Sequence, residues 1–186
     1  MLRPIKPPAF IAVAAIFLLS MAMLKEADPI DILLKRTKDP KLKEKIIAFK
    51  KGGYGKTISY KKHDIEAIIK SAKAFIGTPH SMGGLTKKGI DCSGLVMVAH
   101  QQNGILLPHD GNEQARFGAI KLTMSELKRG DLVFFHSTYN TSKLVSHSGI
   151  YLGNDQFIHV SSKKGASITS IKSKYWSGYF LFGARL

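Results

Sequence analysis

The single cysteine of the chain is the first residue whose chemistry stands out. Cys92 follows Asp91 and precedes Ser93 and Gly94, directly ahead of an apolar run that ends at Gly104. We interpret this segment as a loop that opens into a helix, with Asp91 as the N-cap and the thiol in the first helical turn. Unpaired N–H groups and the helix dipole there favour a thiolate, the nucleophilic form of cysteine. Because a lone cysteine more often packs as a small hydrophobe, other residues must support a catalytic role.

Two histidines downstream supply that support. His147 begins an apolar stretch that is typical of a strand and ends at a Gly-Asn-Asp turn, and His159 lies in the next short strand, 156–160. Because side chains alternate along a strand, pairing across the turn would place both imidazoles near each other on one face. A thiol, an imidazole and a polar group that orients the imidazole are the parts of a nucleophilic triad. The sequence therefore predicts nucleophilic catalysis by these three residues.

Several short motifs in one order extend this pattern over residues 62–186. They are Ile-Gly-Thr-Pro at 76–79, Gly-Gly at 83–84, Gly-Ile-Asp-Cys-Ser-Gly-Leu at 89–95, Leu-Pro at 107–108, Gln114, Leu-Lys-Arg-Gly-Asp-Leu-Val-Phe-Phe at 127–135, His-Ser-Gly-Ile-Tyr-Leu-Gly at 147–153 and Phe-Ile-His at 157–159. In these motifs the chain resembles the NlpC-type cell-wall cysteine peptidases. The resemblance implies an α+β, papain-like domain that hydrolyses peptide bonds in peptidoglycan stem peptides, commonly the bond from γ-D-glutamyl to a diamino acid.

The resemblance also implies roles for individual residues. Cys92 matches the family's nucleophile, His147 its general base and His159 the polar residue that orients the base. His80 stands where the family usually has a tyrosine near the oxyanion, and His109 stands where it usually has an arginine. His80 can donate a hydrogen bond in place of the tyrosine, or it can be an exposed loop residue. Substrate contacts are expected from three residues around the nucleophile, namely His80, Asp91 and Ser93.

The same residues leave two other functions open. An amidase or acyltransferase could use the same three side chains, because fold and triad do not fix the acceptor. A non-catalytic wall-binding module would need only a groove and a basic segment, and the intact set of Cys92, His147 and His159 argues against it. No cofactor or metal site is expected, because one cysteine allows no CxxC zinc site and the remaining histidines show no ligand spacing.

The order of the expected elements favours an α+β fold. Apolar periodicity predicts a packing helix over 64–76 and a nucleophile helix from Cys92 to about residue 103, with a short helix over 112–117. Strands are expected later, at 131–135, 147–152, 156–160, 166–170 and 180–185. Helices first and strands afterwards indicate N-terminal helices packed on an antiparallel sheet. Near the end of the chain, Tyr175 and Trp176 are interpreted as packing residues.

Residues 1–24 are predicted to be a targeting element. Arg3 and Lys6 precede an apolar run over 9–24, and Ser20-Met21-Ala22 offers a cleavage site for a signal peptide. The run is short for a membrane span of about 20 residues, which favours a cleaved signal over an uncleaved anchor. Either form would export the catalytic region to the bacterial cell envelope.

Residues 25–61 are predicted to be a basic linker ahead of the catalytic domain at 62–186. The stretch 42–49 can form a short helix, but the surrounding lysines favour a solvated, extended tether. The formal net charge of +15 allows attraction to anionic envelope polymers or lipid headgroups. Nucleic acid also attracts basic chains, but export and the lack of a recognisable nucleic-acid module argue against that partner.

Overall fold

The centre of the protein is a six-stranded antiparallel sheet, seen in a computed structural model that describes residues 27–60 and 64–186. Its strands are β3 (Ala119–Lys121), β4 (Leu132–Phe135), β5 (His147–Gly153), β6 (Gln156–Ser161), β7 (Gly165–Ser170) and β8 (Phe180–Arg185). They lie in the order β3-β8-β4-β5-β6-β7. Two shorter strands, β1 (Leu85–Thr86) and β2 (Gly89–Ile90), pair separately as a hairpin.

The helices precede most of the strands, as expected. They are α1 (Pro29–Arg36), α2 (Pro40–Lys51), α3 (Ile65–Lys73), α4 (Cys92–Gln101), α5 (Gly111–Gln114) and α6 (Lys174–Tyr179), together with a 3₁₀ turn at Met124–Glu126. This mixture of early helices and a late antiparallel sheet confirms the predicted α+β fold.

Aspartate side chains begin the first five of these helices. Asp28, Asp39, Asp64, Asp91 and Asp110 each accept a hydrogen bond from a backbone N–H in the following turn. Such caps satisfy donors that the helix itself leaves unpaired. The helix starts are therefore set by local sequence, including the start of α4 at the cysteine.

The sheet is covered on both faces, and the two faces differ. Along β4, Leu132 and Phe134 point into the main core, where the sheet meets α3 and α4. Val133 and Phe135 point to the opposite face, because side chains alternate along a strand. There they join a second group that we call the aromatic cluster: Leu127, Val133, Phe135, Tyr151, Phe157, Ile171 and Trp176. The candidate histidines lie beside this second group.

Helices α1 and α2 pack against the main core. Ile30, Ile46 and Phe49 are buried there, and the Phe49 ring lies 6.0 Å from the ring of Phe182 in β8. Arg116 adds a polar connection, because its guanidinium donates to the carbonyls of Phe49 at 2.9 Å and of residue 53 at 2.6 Å.

This packing differs from the solvated, extended linker that the lysine content of residues 25–61 favoured. The short helix expected within 42–49 is present in α2, but its apolar side faces the core. Lys41, Lys43 and Lys51 lie exposed on the other side of α2. The helix therefore has one buried apolar side and one exposed charged side.

Two sequence predictions concern residues outside the described part of the chain. The targeting element at 1–24 lies there, and so do residues 61–63 at the predicted domain boundary. The division at residue 62 stays a prediction. Within 27–60 and 64–186, every helix is too short or too polar to cross a membrane.

Candidate active site

Asp91 fixes the start of the helix that carries the cysteine. One carboxylate oxygen accepts from the N–H of Gly94 at 2.6 Å and from the hydroxyl of Ser93 at 3.0 Å. The other accepts from the N–H of Gly83 at 2.7 Å, which ties the preceding loop to the helix. Cys92 therefore occupies the first turn of α4, as the sequence predicts.

His109 completes the surroundings of this carboxylate. Its Nε2 lies 3.0 and 3.1 Å from the two oxygens of Asp91. Burial alone would raise the pKa of Asp91, but the N–H of Gly94, the His109 ring and the N–H of Gly83 outweigh it and hold the pKa below its usual value. The histidine that replaces the expected arginine thus supports the N-cap, a role that the sequence did not suggest.

A close backbone approach at Gly94 packs the loop onto α4. A Cβ atom at this position would lie 2.5 Å from the carbonyl oxygen of Gly84 and 3.1 Å from Nε2 of His109. Because the first of these neighbours is backbone and cannot rotate away, the position requires glycine. The Cys-Ser-Gly sequence is therefore explained by packing as well as by chemistry.

The Cys92 thiol is free and only partly exposed. Burial raises its pKa above the usual value, and the nearby charge of Asp91 acts in the same direction. The backbone N–H and hydroxyl of Ser148, which follows His147 in β5, act in the opposite direction. Burial is the largest of these effects, so the pKa of the thiol lies above its usual value, whereas the position at the helix start favours the thiolate.

The two histidines meet as predicted. His147 in β5 and His159 in β6 are both buried, and Nε2 of His147 lies 2.9 Å from Nδ1 of His159. His159 pairs in register with Gly149, whose missing side chain allows the approach: a Cβ there would lie 2.5 Å from the carbonyl oxygen of Ile158. The hairpin prediction thus places both imidazoles on one face of the sheet.

Aromatic rings surround the imidazole pair. Trp176 from α6 stacks on His147 with ring centroids 4.9 Å apart and meets His159 edge-on at 4.7 Å. Phe157 stacks on His159 at 4.5 Å. Trp176 is buried, as its interpretation as a packing residue predicts, but its contacts with the imidazoles depend on the fold of the sheet and could not be found from local sequence.

This apolar environment favours the neutral form of both histidines. Burial lowers the pKa of His147 well below its usual value, and His159 and His80 lower it further. Burial likewise lowers the pKa of His159, to about 4, with a smaller contribution from Lys164. A neutral imidazole has one nitrogen lone pair free to accept a proton, which is what a general base requires.

The three expected substrate contacts have different surroundings. His80 forms an isolated bridge with Ile90, two residues before the nucleophile, and its charge contributes to lowering the pKa of His147. Asp91 and the Ser93 hydroxyl are engaged with each other inside the protein. Substrate binding by His80, Asp91 and Ser93 stays a prediction, and the position of His80 fits it better than the inward contacts of the other two.

Comparison with known proteins gives the same picture of the chain. The model of the NlpC/P60 family matches residues 77–185. A murein DD-endopeptidase/murein LD-carboxypeptidase of Escherichia coli strain K12 is 43% identical over 101 residues, which cover 54% of this chain and 51% of that protein. A gamma-DL-glutamyl hydrolase of Bacillus subtilis strain 168 is 39% identical over 111 residues, which cover 59% of this chain and 26% of that protein.

A solved structure shows the same fold. The crystal structure of an NlpC/P60 family protein from Bacillus cereus is 26% identical, with a TM-score of 0.60, and the match covers 66% of this chain and 40% of that one. The chain thus spans 51% of the length of the Escherichia coli protein, 26% of the Bacillus subtilis protein and 40% of the Bacillus cereus protein.

Proposed function

The chain belongs to the NlpC/P60 family, and from that membership we propose that it is a cysteine peptidase that hydrolyses peptide bonds in peptidoglycan stem peptides. The observation that carries the proposal is the buried pair of His147 and His159 beside the helix that begins at Cys92. Helix α4 packs against β5, the strand that carries His147. The names of the two bacterial relatives, a murein endopeptidase and a glutamyl hydrolase, support the substrate class.

In the proposed acylation step, His147 accepts the Cys92 proton as the sulfur attacks the scissile carbonyl carbon. Because Nε2 of His147 faces His159, the base is Nδ1. The new C–S bond forms as the carbonyl oxygen becomes an oxyanion, which the backbone N–H of Cys92 stabilises. The oxyanion then collapses, the C–N bond breaks, and the imidazolium returns its proton to the leaving amine.

Deacylation uses the same groups in reverse. A water molecule gives a proton to His147 and attacks the thioester carbonyl, the C–S bond breaks, and the carboxyl product leaves as the proton returns to sulfur. The burial that raises the pKa of the Cys92 thiol and lowers that of His147 favours a neutral resting pair. We therefore propose that charge develops only as the proton moves, rather than in a resting thiolate–imidazolium pair.

We propose the bond from γ-D-glutamyl to a diamino acid as the site of cleavage. The Bacillus subtilis gamma-DL-glutamyl hydrolase supports this choice, whereas the Escherichia coli relative is named for a DD bond. Mass analysis of fragments released from purified peptidoglycan separates the two, because cleavage at each bond leaves a different stem peptide. An amidase or acyltransferase is the second candidate, and an added amine that appears in an acylated product would identify it.

The proposed mechanism is tested by replacing the nucleophile. Cys92→Ala should lower turnover of a soluble stem peptide by at least about 10³-fold, because the sulfur forms the covalent intermediate. His159→Gln should retain more activity, since an amide can still hydrogen-bond to His147. Circular dichroism of each variant checks the fold. Undiminished turnover in a folded Cys92→Ala variant would contradict a cysteine peptidase.

The remaining proposals concern location and the basic N-terminal part. A cell-envelope location fits a peptidoglycan substrate, and we propose that residues 1–24 direct export. The exposed lysines of α2 are well placed to attract anionic envelope polymers or lipid headgroups. Since α2 also packs on the core, we propose that this attraction acts on the folded catalytic unit itself rather than through a loose tether.

A further inference from the structure

The outer nitrogen of His159 has a partner that the triad does not include. Thr169 lies in β7, two residues beyond the position that pairs with His159, and its Oγ1 lies 3.2 Å from Nε2 of His159. Together with the 2.9 Å contact between the imidazoles, this makes one continuous line from Thr169 through His159 to His147. Within 27–60 and 64–186, the Thr169 hydroxyl is the only hydrogen-bond partner of that nitrogen.

The rings beside His159 cannot replace this partner. Phe157 covers one face at 4.5 Å and Trp176 approaches at 4.7 Å, and neither ring offers a strong acceptor. A buried N–H without a partner is unfavourable, because it loses its hydrogen bond to water and gains none in the protein. The hydroxyl of Thr169 is therefore needed if His159 is to carry its hydrogen on Nε2 and still have a hydrogen-bond acceptor for it.

The direction of the hydrogen bonds determines whether His147 can act as a base. A neutral imidazole carries one N–H, so His159 with hydrogen on Nε2 has a lone pair on Nδ1 and accepts from Nε2–H of His147. His147 then has its lone pair on Nδ1, the nitrogen turned away from His159 and required by Cys92. In the reverse direction Thr169 donates, and Nδ1 of His147 carries hydrogen and cannot accept the thiol proton.

We propose that Thr169 is a positioning residue that accepts the Nε2–H of His159 and thereby holds His147 in the tautomer that can deprotonate Cys92. The proposal rests on the proposed function of His147 as the base. When His147 becomes an imidazolium, its Nε2–H must still donate to His159, so Thr169 also favours the charged form that appears during each proton transfer.

The test compares three variants on a soluble stem peptide. Thr169→Val keeps the shape and the preference for a strand but removes the hydroxyl. It should lower kcat about tenfold with KM nearly unchanged, because the hydrogen bond acts on proton transfer and not on substrate binding. Thr169→Ser restores a hydroxyl and should return kcat to within about threefold of the original protein.

Ser167→Ala is the matched control. Ser167 lies on the same face of β7 and pairs in register with His159, yet its hydroxyl bonds to the carbonyl of residue 165 at 3.4 Å. Its kcat should be unchanged. A Thr169→Val variant with normal kcat, a Thr169→Ser variant as slow as Thr169→Val, or an equal loss in Ser167→Ala would overturn the proposal.

Nitrogen NMR of the unmodified protein gives a second test that needs neither folding of a variant nor activity. With ¹⁵N-labelled histidine at pH 7, both His147 and His159 should show a protonated Nε2 and an unprotonated Nδ1. Hydrogen on Nδ1 of His159 would overturn the role of Thr169. If no stem peptide were cleaved while this pattern was present, the proposed function would fail and the hydrogen-bond direction would stand.

Discussion

The nucleophile side and the histidine side of the candidate site are held by different forces. On the nucleophile side, the Asp91 carboxylate gathers donors from Gly83, Ser93, Gly94 and His109. On the histidine side, Trp176 and Phe157 enclose the imidazoles, and polar contact is limited to the line that ends at Thr169. One side is organised around a buried charge, and the other excludes charge.

This difference matches what each side must do. A carboxylate that stays ionised can cap a helix and fix a loop at all physiological pH values, and four donors ensure that state. A general base must instead start neutral and carry charge only briefly, and apolar rings favour the neutral form. The protein thus combines a rigid polar support for the sulfur with an apolar enclosure for the base.

The largest effect on stability is expected from removing the charge on the nucleophile side. Asp91→Ala would leave two backbone N–H groups and His109 without their acceptor, so the free energy of unfolding should fall by about 3 kcal/mol. Asp39→Ala is the matched control, because Asp39 caps α2 in an exposed position with one bond, to the N–H of Lys41 at 2.9 Å. In Asp39→Ala the free energy of unfolding should fall by about 1 kcal/mol or less.

Urea denaturation of both variants measures the difference. Equal losses would mean that Asp91 acts as an ordinary N-cap and that the contacts with Gly83 and His109 add nothing. The stem-peptide assay should also show lower activity for Asp91→Ala, since the first turn of α4 would no longer be held against the loop at 83–84.

The contrast between the two sides also explains what could be predicted from sequence. The nucleophile side depends on neighbours in the chain: an aspartate before an apolar run marks the N-cap, and Cys92 follows it directly. The meeting of His147 and His159 required only one hairpin and the alternation of side chains. Local rules therefore placed all three proposed catalytic residues.

Contacts that depend on distant segments were not predicted. Thr169 reaches His159 only through the register of β7, and Trp176 reaches His147 through a helix at 174–179 that the aromatic sequence did not suggest. The burial of Ile30 and Phe49 was hidden by the lysines around them. The burial that raises the pKa of Cys92 was likewise not predicted, because helix position is a local property and desolvation is not.

A moderate effect on stability is expected from lowering the pH, because the titrating groups of the two sides respond in different pH ranges. The pKa of His159, lowered to about 4, and that of His147, also lowered, lie below the usual value of 6.5. Between these values the unfolded chain binds protons that the folded chain does not, so the free energy of unfolding should fall as pH drops from about 6.5 to about 4. Asp91 affects stability in a lower pH range. Its pKa in the folded protein lies below the usual value of 3.8, so its contribution to the free energy of unfolding is lost as the pH falls below 3.8 and through the lower, folded pKa.

Denaturation curves at several pH values between 7 and 3 check this order. His159→Gln should reduce the slope between pH 6.5 and 4 because it removes one titrating group. His136→Asn serves as a comparison. Burial lowers the pKa of His136 too, so this variant measures how much of the pH dependence of stability comes from His136. A stability that stays constant down to pH 4.5 would contradict buried, neutral histidines.

The smallest effect is expected at Ser148, where the two sides meet. This residue follows His147 in β5, is fully buried, and makes no conventional hydrogen bond through its hydroxyl within 27–60 and 64–186. Its hydroxyl and backbone N–H both favour the thiolate of Cys92. Ser148→Ala removes the hydroxyl and keeps the N–H, so the pKa of the thiol should rise and the rate of alkylation by iodoacetamide at pH 7 should fall about threefold.

Ser146→Ala is the control for this last change. Ser146 is also buried and lies two residues earlier, but its hydroxyl bonds to the N–H of Thr138 at 2.9 Å and to the carbonyl of Phe135 at 3.2 Å. Its removal should leave the rate of alkylation at pH 7 unchanged even where it lowers stability. An equal fall of that rate in Ser146→Ala, or no fall in Ser148→Ala, would contradict the effect assigned to the Ser148 hydroxyl.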